Sequence, residues 1–338
     1  MGKALAAALL LATTTIPAPA LAAGTQAAPL PVGRCINTGN MLETRPQESG
    51  WGGKKLNAED FRRIKAAGFA TVRIPVNWLV HSQEGAPHTI DPAWLKRVSE
   101  VVDAGLASGL NVILNSHYFE PVHDTPTEGA PRLAATWRQI AAHFADRSER
   151  QLWFEIENEP HGKLTNANLL ETLSPSLAAI RATNPTRPVV IGGENWSGID
   201  SLATLELPDD PNVHPTFHYY EPFDFTHQGA GWVNPTFPLG RNYGSDADKA
   251  RLAADVAKLN AYIARTGKTP FMGETGAFDS MPLDQRIAYH SAIRDGFAAT
   301  GIGICAWGYT NTFPFWDQKE KRWLPGLLKA FGLPGTDK

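Results

Sequence analysis

A single α/β domain, the (β/α)8 or TIM barrel, is the fold this sequence predicts. Two observations predict it. Short apolar runs alternate with amphipathic stretches from residue 34 to the end, and eight such runs can be counted. A third observation disfavours the open doubly wound sheet: no Gly-rich phosphate loop follows the first strand, where Ile36, Asn37, Thr38, Gly39 and Asn40 stand instead. The length of 338 residues suits one barrel, here assigned to residues 34–335.

The strands are expected at 34–37, 71–75, 111–116, 152–157, 187–191, 213–219, 270–273 and 302–307. Helices are expected between them at 57–67, 91–107, 131–145, 166–183, 246–266 and 284–299. Asn57 and the Asp91-Pro92 pair are helix starts, and Gly68, Gly109 and Gly267 stand where helices stop. Residues 221–245, rich in aromatics and Gly, form the longest stretch without a pattern. A loop of that length in a compact domain serves function, and here it would overhang one face of the barrel.

Met1 to Ala22 has an early cation, an apolar run and a small-x-small ending at Ala20, Leu21 and Ala22. That is the pattern of a secretory signal peptide cleaved near Ala22, which places the mature protein outside the cell or in a periplasm. The apolar run is too short, and too interrupted by Thr and Pro, for a membrane anchor. Residues 23–33 read as a flexible tail. A net charge of −3 gives no electrostatic support for binding nucleic acid or an anionic membrane. Ten Trp and fifteen Phe supply faces that stack on sugar rings, although core packing accounts for many of them.

Chemistry in such a barrel gathers at the carboxyl ends of the strands. Those ends carry Asn37 and Asn40, Arg73, Asn77 and Trp78, His117 and Tyr118, Asn158 and Glu159, then Glu194, Asn195 and Trp196. His218 to Tyr220, Glu274 and Trp307 complete the set. Two strands stop abruptly on glutamates, Glu159 and Glu274. A carboxylate pair on rigid strand ends is the machinery of glycosidic bond cleavage, one acting as acid and the other as nucleophile or base. The bland alternative pairs each glutamate separately with Arg or Lys. Pro160 holds Glu159 extended, which helps aim its side chain.

Arg73 lies within an apolar strand and needs a partner. It either keeps the nucleophilic carboxylate ionised or forms a core ion pair with Glu155. No role is assigned to Glu157. His117 and His218 could instead ligate zinc, but no His-x-His or His-Glu-x-x-His motif accompanies them, so no metal and no cofactor are expected. Cys35 and Cys305 fall on strands one and eight, neighbours once the barrel closes. A disulfide or a facing thiol pair both stay open; because bonds between adjacent strands are often strained, the reading leans slightly against a bond.

Seven segments resemble glycoside hydrolase family 5, the cellulase family, in the same order along residues 34–331. They are Ile36–Asn40, Val72–Val76, Asn115–His117, Phe154–Pro160, His218–Tyr220, Gly273-Glu274 and Ala306-Trp307. The resemblance implies a retaining hydrolase of β-1,4-linked glucan with Glu159 as acid/base and Glu274 as nucleophile. It also implies that Asn158 binds the sugar 2-hydroxyl, and that Arg73 and Tyr220 hydrogen-bond the nucleophile. His117 and His218 would line the site of the cleaved sugar, and Trp307 would stack beneath it. Trp196 and Trp232, with Phe237 and Trp316, are candidates for further stacking positions.

Two features depart from the family pattern: Tyr118 stands where a second histidine is common, and Glu157 where an apolar residue is common. Mannanase, xyloglucanase and mixed-linkage glucanase activities share this mechanism and stay open, and a non-catalytic carbohydrate-binding barrel is a further reading. The expected partner is a β-linked polysaccharide or oligosaccharide, met by a monomer.

Overall fold

The computed structural model describes residues 28–52 and 54–335. The expected leader, 1–22, and residues 23–27 of the expected tail lie outside the described residues. Eight parallel strands close a barrel in chain order, and β8 pairs with β1. They are β1 (Arg34–Asn37), β2 (Thr71–Ile74), β3 (Asn111–Asn115), β4 (Leu152–Glu155), β5 (Val189–Gly192), β6 (Val213–His218), β7 (Phe271–Thr275) and β8 (Ile304–Ala306). A two-stranded ribbon, β9 (Trp316–Asp317) and β10 (Arg322–Trp323), follows the barrel.

The helices that cover the barrel begin where capping chemistry starts them. Helix α1 (Ala58–Ala66) opens on Asn57, whose side chain accepts from the Asp60 N–H while Asp60 bonds back to the Asn57 N–H. Helix α2 (Pro92–Ala107) opens on Asp91 with Pro92 in its first turn. A single turn, α3 (Glu120–Asp124), runs into α4 (Pro126–His143). The sequence placed that start at residue 131. Pro126 takes the role instead, and Pro131 is carried inside the helix.

Helix α5 (Asn166–Arg181), the turn α6 (Glu194–Ser197) and α7 (Phe223–Thr226) follow. Helix α8 (Asp246–Thr266) lies between a Ser245–Asp248 capping box and the left-handed Gly267, where φ is 69°. Helices α9 (Leu283–Gly296) and α10 (Leu327–Ala330) complete the chain.

Two expectations are corrected. Residues 30–33 are not a free tail: Leu30 and Val32 are buried in the barrel floor with Ile113, Trp153, Val190 and Phe271. Thr71 Oγ1 donates to the Val32 carbonyl at 2.6 Å, which ties the segment beneath β2. Cys35 and Cys305, for which the sequence left a bond open but leaned slightly against it, form a disulfide. The β1–β8 register sets them directly opposite one another, with Cα atoms 4.1 Å apart.

The long 221–245 loop also carries more order than its sequence suggests. It begins with the turn α7, and Gln228 Oε1 receives the N–H groups of Gly240 (2.8 Å) and Arg241 (3.1 Å). One buried amide thus pins the two arms of the loop together. No helix among the described residues is long and apolar enough to cross a membrane.

Candidate active site

At the carboxyl end of the barrel a cleft of about 880 Å³ opens, with Glu159, Glu274, His117, His218, Tyr220 and Trp307 in its lining. Its base is organised by Arg73, which β2 delivers fully buried. Nε and Nη2 hold the two oxygens of Glu155 at 2.7 and 2.8 Å. Nη1 donates to Glu274 Oε1 at 2.7 Å and to Asn37 Oδ1 at 2.9 Å, and Nη2 also reaches Asn158 Oδ1 at 2.6 Å. Arg73 thus contacts both of the carboxylates that the sequence offered it. Glu155 anchors the guanidinium, and the anchored guanidinium is aimed at Glu274.

Asn37 extends this base by donating to the carbonyls of Gly273 (2.9 Å) and Ala306 (3.1 Å), so three strands are locked under the site. Because Asn158 Oδ1 is taken by Arg73, its amide nitrogen turns to His117 Nε2 at 3.4 Å. Glu274 receives a second bond from the Tyr220 hydroxyl, 3.0 Å from Oε2.

His218 Nδ1 lies 2.7 Å from Glu159 Oε1 and 3.6 Å from Glu274 Oε2. An oxygen of each glutamate and a ring nitrogen of His218 lie within 4.8 Å of one another. Gly273 makes this approach feasible: a Cβ there would stand 2.9 Å from His218 Nε2. Likewise a Cβ at Gly39 would meet the Trp307 ring at 2.6 Å, so the first strand's turn can lie flat along the indole. His117 lies nearly parallel to Trp307, with 5.8 Å between ring centres.

Burial, opposed by the Arg73 charge, pushes the Glu159 carboxyl up to about 7. Glu274 is also raised, chiefly by burial, while His218 and Arg73 pull it back down. Geometry distinguishes the two carboxylates. Glu274 has a guanidinium and a phenol on its oxygens, whereas Glu159 has one imidazole and a side chain that is 24% exposed to the cleft. His218 is pushed down to about 4 and His117 well below its usual value, both by burial. Both rings are neutral where Glu159 titrates.

The eight residues Glu159, Glu274, Arg73, His117, Asn158, His218, Tyr220 and Trp307 thus converge at one place. Trp196 and Trp232 stand on the cleft walls, each 57% exposed. Two further stacking candidates do not join them. Trp316 is buried against Trp323 with the Arg63 guanidinium 4.2 Å from its ring centre, and Phe237 packs on Phe223.

Other residues in and beneath the cleft went unassigned in the sequence. Glu43 caps the turn after β1, accepting from the N–H groups of Asn40 and Met41, and burial pushes it up to about 7. Trp51 meets Tyr118 edge-on at 5.8 Å. His227 stacks on Phe223 at 4.0 Å beside Tyr220 and Phe313. The Asn40-x-x-Glu43 spacing, which lets a carboxylate fold back on its own turn, was a readable signal for the first of these.

The profile of the family described as Cellulase (glycosyl hydrolase family 5) matches residues 35–312. The chain belongs to glycosyl hydrolase family 5. Among relatives in that family, it is 32% identical over 311 residues to Endoglucanase H of Acetivibrio thermocellus, covering 90% of this chain and 33% of that protein. It is 34% identical over 324 residues to Endoglucanase B of Ruminococcus albus, covering 87% of this chain and 75% of the relative. Thus the chain spans about a third of the length of the Acetivibrio relative.

Structures of Thermotoga maritima Cel5A, solved with cellobiose and with mannotriose, superpose with a TM-score of 0.85 at 36% identity. Each covers 89% of this chain and 97% of that one. The barrel expected from the sequence and its family 5 membership are both established.

Proposed function

We propose that this protein is an endo-acting β-1,4-glucanase that cleaves its substrate with retention of configuration. The observation that carries the reading is the approach of Glu159 to Glu274, with oxygens within 4.8 Å of one another. Retaining glycosidases hold their carboxyl groups about 5–5.5 Å apart, whereas inverting ones leave about 6.5–9.5 Å for a water.

In the first half-reaction the Glu274 carboxylate attacks the anomeric carbon and forms an ester. The glycosidic C–O bond breaks, and Glu159 gives its proton to the departing oxygen. Esterification removes the Glu274 charge, so Glu159 becomes a base. In the second half-reaction Glu159 takes a proton from water, whose oxygen attacks the anomeric carbon and frees Glu274. Trp307 and His117 lie beneath the sugar being cleaved. Asn158, held by Arg73, bonds its 2-hydroxyl. Trp196 follows Pro160 in space, its N–H 3.0 Å from the Pro160 carbonyl, and serves the sugar on the leaving-group side.

Mannan is the second substrate this site takes, a reading supported by the mannotriose complex of the similar Cel5A. The leader at 1–22 carries the chain out of the cytoplasm, where its polymeric substrate is found.

The test is hydrolysis of barley β-glucan, carboxymethyl-cellulose, xyloglucan, glucomannan and mannan, with proton NMR of the first product formed. Release of the β-anomer from β-glucan, with a fall in viscosity ahead of reducing ends, is expected. An α-anomer product, or no hydrolysis of any of the five, would sink the reading.

A further inference from the structure

The loop that bears Glu159 rests on a buried column of side chains that the double displacement does not use. Glu157 is 1% exposed. Its Oε1 receives the Phe119 N–H at 3.4 Å and lies 3.4 Å from His123 Nε2, while Oε2 has no partner. His123, on α3, is 4% exposed and has no hydrogen bond at either ring nitrogen. Its ring packs against His161 with centres 4.0 Å apart. His161 in turn stacks on Trp196, at 5.1 Å and 11° between planes. The column runs from a buried carboxyl to an exposed indole on the cleft wall.

Backbone bonds join the same pieces. Lys163 N–H donates to the His123 carbonyl at 2.9 Å, and Trp196 N–H to the Pro160 carbonyl at 3.0 Å. His161 Nδ1 stands 2.6 Å from the Glu159 carbonyl oxygen, an atom that can only accept, so Nδ1 carries the hydrogen. Trp196 needs such bracing. Asn195, Trp196 and Ser197 all hold left-handed φ, at 53°, 55° and 55°, without a glycine among them.

Charge decides how the first two members meet. The groups facing Glu157 are His123, Glu120 and Glu155, and those facing His123 are Glu157, His161 and His117. No free cation is among them, since Arg73 is committed to Glu155 and Glu274. Burial pushes Glu157 well up and His123 down to about 3, which favours a neutral carboxyl beside a neutral imidazole. A single proton between Glu157 Oε1 and His123 Nε2, 3.4 Å apart, would satisfy both groups.

We propose that Glu157 and His123 form a neutral, single-proton positioning pair that sets Trp196, through His161, for the sugar on the leaving-group side. This rests on the glucanase reading above, and it names a determinant of substrate binding that lies outside the cleft.

A kinetic double-mutant cycle on cellopentaose tests it, using Glu157→Leu, Trp196→Ala and the pair together. Each single variant is expected to raise KM roughly threefold to tenfold, the size of one aromatic contact, with kcat little changed. The double variant should be no worse than Trp196→Ala alone. Glu157→Gln keeps a donor for His123 Nε2, and should restore KM and leave the pH profile of kcat/KM unmoved. Multiplying losses in the double variant, an unmoved KM in Glu157→Leu, or a Glu157→Gln that behaves like the leucine would each overturn the pair.

Histidine-selective NMR of the unaltered protein adds a readout that needs no variant to fold. His123 should stay neutral from about pH 4 to 8, with Nε2 accepting, and a protonated ring would overturn the shared proton. Absence of cellopentaose hydrolysis by the unaltered enzyme would strike the glucanase reading and leave the NMR result to judge the pair.

Discussion

Arg73 Nη1 donates to Glu274 Oε1 at 2.7 Å, while the rest of the same guanidinium is spent on Glu155 and Asn158. A cation that is fully buried and gripped by a second carboxylate cannot swing away from the first. Arg73→Lys keeps the charge and loses the fork. We expect kcat/KM to fall roughly tenfold or more, the worth of one charged hydrogen bond at about 1.5–3 kcal/mol. Arg73→Met strands two buried carboxylates and should cost about 3–5 kcal/mol of stability, read as a lower Tm. Unchanged activity in Arg73→Lys would show that Glu274 needs no aimed guanidinium.

The two glutamates should respond differently to replacement. Glu274→Gln removes the nucleophile and is expected to lower kcat by at least about 10⁴ with the fold intact by circular dichroism. Glu159→Ala should lose about 10²–10⁴ on β-glucan and far less on an aryl glycoside whose leaving group needs no proton. Added azide should restore turnover in Glu159→Ala and yield the β-glycosyl azide. An α-azide from that variant would exchange the assigned roles.

Acid catalysis by Glu159 fixes the sign of the pH dependence. Its carboxyl is raised to about 7, and the protonated form is the active one in the first step. The active fraction is therefore full below about 7, and kcat/KM falls about tenfold per unit above it. A kcat/KM profile still rising well above that point would contradict the assignment. In Glu159→Ala with an activated aryl glycoside the basic limb should vanish.

Trp232 projects from the 221–245 loop, 57% exposed, with the Phe278 ring edge-on at 4.8 Å. Exposed aromatics contribute little to folding, so Trp232→Ala should leave Tm within about 1 °C. KM for long cello-oligosaccharides should rise roughly threefold to tenfold, with short substrates less affected. Equal effects on cellotriose and cellohexaose would mean that Trp232 is not a stacking position.

The barrel was legible because its signals are local. Apolar runs end on polar strand tips, and caps such as Asn57 and Asp91 stand at helix starts. The candidate site was legible for the same reason, since His218 and Glu274 fall at strand ends and Glu159 just beyond one. What escaped depends on contacts that no spacing encodes. Trp316 and Trp232 are the same residue type in aromatic-rich segments, yet one lies beneath Arg63 and the other faces the cleft. Arg73 seemed to require a choice between Glu155 and Glu274, because a sequence does not show that a guanidinium has five donors to share. Glu157 stood as a departure from the family pattern without a role until His123, on α3, was brought against it.

The Cys35–Cys305 bond offers one more measurement. Reduction, or Cys35→Ala with Cys305→Ala, should destabilise the barrel by about 2–5 kcal/mol and leave kcat on β-glucan near its original value. A Tm unmoved by reductant would show that the bond does not form in solution.

That bond also changes what the chain is as a covalent object. Its two cysteines are 270 positions apart and lie on the first and last strands, so every strand of the barrel belongs to one closed loop of bonds. A protease that cuts the protruding 221–245 segment would open the loop without releasing a piece. The two halves would stay linked across the β1–β8 seam, Glu159 on one side of the cut and Glu274 on the other. A nicked molecule would remain a whole one.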